Sequence, residues 1–386
     1  MWHYLDHAAS SPLRPEARAA IEAAMDAGYG NPSGAHALAR AGRAALDDAR
    51  AALAAVVGAA PGEVVFTSGG TEADNLAIRG TLAARGGIAV CTAIEHKAVL
   101  EPVRASGGRV VPVDDRGLVD LDALAEQLDP AVTIVSVGLV NNEVGTIQRL
   151  EEVVGVVRAH APDALLHTDA AQALTWLDVG AAAAPADLIT LASHKCGGPV
   201  GVGALVVRSG MPLAAQQVGG GQERDRRSGT QDVVSAAGFA AAACASDAVR
   251  PEVVARCRAW RDLLVDSIAD AVEGTRESAA PAGSGREHLV AGIANVCLPA
   301  VDSEALLFVL EHEHRVLASA AASCASGAHE PSHVLAAVGI DRSLAAGSLR
   351  LSLGWSTTEE DVEVARGAVP QAAARLQSHA RDGAPA

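Results

Sequence analysis

Seven short apolar runs recur along the first part of the chain: VVFTS, IAVCTA, RVVPVD, VTIVSVGLV, ALLHTDA, DLITLAS and GALVVR. Helical stretches sit between several of them, including TEADNLAIRGTLAARG, LDALAEQL and LEEVVGVVRAHA. Strands that are apolar throughout are buried on both faces, and strands separated by helices pair in parallel. The pattern therefore predicts an α/β fold with a mostly parallel sheet covered by helices. Two further helices are expected ahead of it, Arg14 to Ala27 and Ala37 to Val57. Residues 14–250 read as one large domain. Beyond it, PEVVARCRAWRDLLVDSIADAV reads as a long helix and AGIANVCLP and SLRLSLG as strands. Residues 1–13 and 251–386 are expected to form a smaller α+β domain.

At 386 residues, with 49% hydrophobic and 20% charged positions and no charge block, the chain has ample material for packed cores. A formal charge of -16 argues against nucleic acid, whose phosphates would be repelled. No continuous apolar run reaches the roughly 18 residues of a membrane span, and MWHYLDHAASS lacks the basic and apolar regions of a signal peptide. The six cysteines show neither a disulfide pattern nor a C-x-x-C pair. A cytoplasmic protein without a membrane segment or structural zinc is expected.

Three segments carry candidate chemistry. In TSGGTEADN a strand enters, Gly69 and Gly70 turn, and a helix leaves with Thr71 in its first turn. Such a turn is either a phosphate cup, with N–H groups and the helix dipole facing an anion, or a tight corner capped by Thr71. In LITLASHKCGG, Lys195 follows a buried strand beside Ser193 and His194. Desolvation there would lower its pKa and make it a Schiff-base amine; a lysine pointing to solvent is the commoner outcome. In HTDAAQA, Asp169 ends an apolar run, with Gln172 three residues on. It is placed either to hold a protonated pyridine nitrogen or to cap the next helix. On one sheet, a phosphate cup, a strand-end aspartate and a strand-end lysine are the parts that pyridoxal 5'-phosphate needs. His96, in IEHKAV, adds a ring able to stack on the pyridine.

SCASGAHEPSHVL contains a literal H-E-x-x-H at His329, Glu330 and His333, the spacing of a zinc protease. Pro331 lies inside it, and proline in a helix interior prevents the two histidines from sharing one helical face. A helix starting at Glu330 or Pro331 leaves His329 outside, so no metal site is expected.

The motifs YLDHAASSP, GNPSGAH, VVFTSGGTEADNLAIRG, EHKAV, NNEVGTIQ, HTDAAQA, SHKCGGPVGVGAL, GGGQERDRRSGTQDV, CASGAHEPSHVL and LRLSLGWSTTEED occur in that order. Together they resemble the cysteine desulfurases of the NifS/IscS type, fold-type I pyridoxal phosphate enzymes of class V, over nearly the whole chain. The resemblance implies that Lys195 bonds the cofactor, Asp169 pairs with its ring nitrogen and Gln172 meets its ring hydroxyl. His96 is implied to stack on the ring and assist proton transfer. Gly70, Thr71, Ser193 and His194 are implied at the phosphate, with Thr230 reaching it across a homodimer interface. Asn31, Asn142 and Arg350 fall where the family holds the carboxylate of L-cysteine, and Cys324 matches its nucleophile. That cysteine would take the sulfur as a persulfide, leave L-alanine, and pass the sulfur to a scaffold or thiolation protein. A selenocysteine lyase, another C–S lyase or an aminotransferase of the same fold is the alternative. Two departures stand out. Ala321, Ala322 and Ser323 precede the cysteine where the family has Gly-Ser-Ala, and Ala192 stands where a phosphate-binding serine is common, with Ser193 as its expected substitute.

Overall fold

The computed structural model describes residues 1–27, 30–320 and 332–382. All seven apolar runs become strands of one sheet. In chain order they are β1 (Val64–Thr67), β2 (Ile88–Thr92), β3 (Arg109–Val111), β4 (Val132–Ser136), β5 (Leu165–Asp169), β6 (Leu188–Ala192) and β7 (Gly203–Val207). Their order across the sheet is β1-β7-β6-β5-β4-β2-β3. Successive residues of one strand enter opposite cores, which is why the runs are apolar without alternation. Val65, Ile134 and Leu188 join a cluster with Leu76 and Val99, from the helices Gly70–Arg85 and Lys97–Ala105. Their neighbours Val64, Val135 and Ile189 join the main core with Leu53 and Phe239, from the helices Ala37–Val56 and Val233–Ala271.

The pairings among β2 to β6 are parallel, as expected, but β7 runs antiparallel to both β6 and β1. Only residues 193–202 link β6 to β7, too few for the crossover helix that a parallel return needs. The chain turns back tightly there instead, and Lys195 sits on that turn. Since β1 and β6 are both antiparallel to β7, β1 points the same way as β2 to β6. Their C-terminal ends open on one side of the sheet, where ligands of such folds bind.

The helix Val233–Ala271 contains Pro251, so the division expected after residue 250 falls inside one continuous element. By length and composition alone it is long and apolar enough to cross a membrane. Its residues Ala236, Phe239, Ala243 and Leu264 are packed in the main core. Past it, the strands Arg276–Glu277, Ile293–Cys297 and Ser348–Ser352 form a small antiparallel sheet with Ile293–Cys297 in the centre. The N-terminal strand His3–Tyr4 pairs with Val316–Leu317, and Asp6 bridges to Ser352. The chain's first residues are thereby laid between the large sheet and the small one.

Candidate active site

A cavity of about 390 Å³ opens at the strand ends. Into it project Gly70 and Thr71 after β1, His96 after β2 and Asn142 after β4. Asp169 and Gln172 enter from β5, His194 and Lys195 from β6, and Arg350 from the small sheet. The separate sequence segments thus converge on one site.

After β1 the cap of the helix Gly70–Arg85 is Gly69, with φ +157° and no capping side chain. Thr71 therefore does not cap the turn. It is exposed in the first helical turn, where free N–H groups and the helix dipole favour an anion.

Lys195 closes a short 3-10 turn, Ser193–Lys195. Its ammonium donates to the carbonyl oxygens of Ala8 at 2.6 Å and Ala9 at 2.9 Å. Burial, then the Arg350 guanidinium, pulls its pKa down to about 8, against the opposing charges of Asp169 and Asp6. Beside it, His194 is brought to about 4 by burial and the Lys195 charge, so its ring is neutral near pH 7. Its Nδ1 lies 3.3 Å from Ser10 Oγ.

Asp169 accepts the Ala171 N–H at 2.9 Å, and burial raises its carboxyl above the usual range. Gln172 donates to the Ala8 carbonyl at 2.7 Å. His96 caps the helix Lys97–Ala105, its Nδ1 accepting the Ala98 N–H at 3.2 Å. The proton of the neutral ring is accordingly on Nε2. Burial, followed by the Lys195 charge, lowers the His96 pKa, while Asp169 opposes that shift.

Two carboxylates that the sequence reading missed line the same cavity. Glu95, 3% exposed, accepts from Thr92 Oγ1 at 2.6 Å and from the Gly138 N–H. Burial raises it to about 7. Asp74, 1% exposed, has Oδ1 3.6 Å from His167 Nε2 and without a hydrogen bond among the described residues. Burial and then the neighbouring Asp169 charge raise its carboxyl well above the usual range. The signal for Asp74 was its place three residues after Thr71 on the helix that leaves the glycine turn. Ala8 and Ala9 lie in the YLDHAASSP motif, but nothing in their side chains pointed to the backbone oxygens they contribute.

Arg350, 5% exposed, reaches the cavity from the strand Ser348–Ser352. Its Nη1 donates to the Asn142 carbonyl at 2.9 Å and its Nη2 to Asp6 Oδ1 at 2.8 Å.

Other expected residues are elsewhere. Ser193 is fully buried and does not line the cavity. The turn after β6 points it inward, and a Cβ on Gly198 would lie 2.1 Å from its Oγ. Ala192 occupies the cavity wall, and Ser193 Oγ is buried without a hydrogen-bond partner among the described residues. Asn31 is exposed and accepts the Ser33 N–H at 3.0 Å, outside the cavity. Thr230 is also exposed and outside it. Cys324, His329 and Glu330 lie outside the described residues. The helix near them starts at His333 with Ser332 as its cap, later than the expected start at Glu330 or Pro331. His333 Nε2 lies 2.9 Å from the Glu95 carbonyl, and no metal-ligating cluster occurs among the described residues.

The arrangement fits pyridoxal phosphate. A lysine amine, a buried carboxylate, a neutral imidazole and an open helix N-terminus face one cavity of suitable size. They define a fold-type I pyridoxal phosphate enzyme. The aminotransferase class-V family matches residues 3–364. An IscS-like cysteine desulfurase of Mycobacterium tuberculosis is 39% identical, over 97% of this chain and 97% of that protein. The cysteine desulfurase IscS of Dictyoglomus turgidum is 34% identical, over 93% and 91%. A solved NifS-like protein superposes with TM-score 0.87 at 30% identity, over 96% and 99% of the two chains. The chain belongs to the class-V aminotransferase family and, within it, to the IscS/NifS cysteine desulfurases.

Proposed function

We propose that the chain takes the sulfur of L-cysteine onto Cys324 as a persulfide, releases L-alanine, and passes the sulfur to a protein acceptor. The observation that carries the reading is the convergence of Lys195, Asp169, His96 and Arg350 on one cavity. A cysteine complex is known for a similar solved protein, SspA, at 28% identity and TM-score 0.77.

Lys195 would hold the cofactor covalently, Asp169 its ring nitrogen, Gln172 its hydroxyl, and Gly70, Thr71 and His194 its phosphate. When bound, pyridoxal phosphate withdraws electrons from the substrate's carbon skeleton and so weakens its C–S bond. The rest of the work belongs to side chains. Arg350 and Asn142 bind the substrate carboxylate and orient the amine toward Lys195. A lysine near pH 8 is deprotonated often enough at neutral pH to act as nucleophile and proton acceptor. His96 has Nδ1 committed to a backbone N–H, so Nε2 is the atom at which it holds or moves a proton. Cys324 then attacks the sulfur as a thiolate, forming the S–S bond as the C–S bond breaks.

Thr230 is exposed and does not line the cavity of its own chain, which supports a homodimer in which each protomer lends Thr230 to the other's phosphate site. The acceptor is a scaffold for iron–sulfur clusters or a thiolation enzyme, and the setting is the cytoplasm. Replacing Cys324 by alanine tests the reading. Sulfur release from L-cysteine should stop while the protein stays coloured, and release at the original rate would refute it.

A further inference from the structure

The guanidinium of Arg350 is already engaged where it meets the cavity. Nη2 donates to Asp6 Oδ1 and Nη1 to the Asn142 carbonyl, while Nε is buried without a partner among the described residues. Asp6 is held there by the N-terminal segment. It bridges to Ser352, and the Ala8 N–H donates to Ser352 Oγ at 2.9 Å, so the segment runs beside the strand that carries Arg350. Asp6 does not line the cavity; its carboxylate contacts Arg350, and its charge also reaches Lys195, an effect common to every amine that binds there.

A guanidinium has five N–H donors. Asp6 and Asn142 take two and Nε faces packed protein, which leaves one N–H on each Nη for an incoming carboxylate. Donors for a carboxylate therefore remain, but the charge is already engaged. A second carboxylate meets an arginine that already has a counterion, and it feels the repulsion of Asp6 in a poorly solvated setting. Building on the reading that Arg350 receives the substrate carboxylate, we infer that Asp6 is a positioning residue with two effects. It fixes Arg350 in the cavity wall, and it weakens the grip on the carboxylates of L-cysteine and L-alanine so that product leaves readily.

An asparagine at this position keeps the oxygen that accepts from Nη2 and removes only the charge. The test is an absorbance titration of the holoenzyme with L-alanine and with ethylamine, an amine that lacks the carboxylate. Asp6→Asn should tighten L-alanine about tenfold relative to ethylamine, the scale of a partly screened charge repulsion. A purely structural role would shift both amines together. Arg350→Gln in the same assay should selectively weaken L-alanine. If it does not, the carboxylate role of Arg350 falls, and the inference with it. If it does, but Asp6→Asn leaves the ratio unchanged or lowers it, the role of Asp6 alone is overturned. Retained cofactor colour shows that each variant is folded and loaded.

Discussion

The ammonium nitrogen of Lys195 lies 2.6 Å from the carbonyl oxygen of Ala8. A backbone oxygen holds the amine without neutralising it, so burial still lowers its pKa, to about 8. The neutral amine is the form that reacts with the cofactor aldehyde, and its fraction rises as pH passes the pKa. Uptake of pyridoxal phosphate by the apoprotein should therefore accelerate through a midpoint near pH 8. Stopped-flow absorbance from pH 6 to beyond pH 10 checks this; a rate still rising at pH 10, as the ordinary lysine value of about 10.4 would give, would contradict it. Lys195→Ala should remain colourless after removal of loosely bound cofactor.

Asp169 is the second test. Its carboxylate would stabilise a protonated ring nitrogen, and the neutral amide in Asp169→Asn would not. Turnover should fall by about 10²-fold or more, the usual scale for losing one such electrostatic contact. Steady-state kcat measured beside the absorbance of bound cofactor separates this from simple loss of loading.

A third expectation concerns stability. Glu223 receives both Nη atoms of Arg50 at 2.7 Å and the Phe66 N–H at 2.9 Å, with the two side chains 4% and 1% exposed. It also opens a left-handed run, Glu223, Arg224 and Asp225, on the loop leading to Thr230. Glu223→Ala strands a buried guanidinium and should cost about 3–5 kcal/mol, read from urea unfolding. A loss below about 1 kcal/mol would show that the pair does not anchor the loop.

Much of this was legible in the sequence because it is written locally. Strand periodicity, the glycine turn after β1 and the strand-end placement of Asp169 and Lys195 each depend on a few consecutive residues. The antiparallel β7 was legible too, in the shortness of the 193–202 connection, but the alternation of strands and helices masked it. The sequence also contains only two lysines, Lys97 and Lys195, which narrows the covalent anchor at once. Long-range contacts were not legible. Asp6 meets Arg350 across 344 positions, and Ala8 meets Lys195 across 187, through a segment whose own residues show no such pattern. The inward side chain of Ser193 was missed because neighbouring positions of a 3-10 turn point in different directions.

The central claim is that sulfur leaves L-cysteine onto Cys324. Mass spectrometry of the holoenzyme after incubation with L-cysteine, with the small-molecule product measured alongside, tests it most directly. The account predicts one added sulfur on the peptide containing Cys324, formed together with L-alanine. Alanine without added sulfur on that peptide, or sulfur on Cys196 or Cys244 instead, would contradict it.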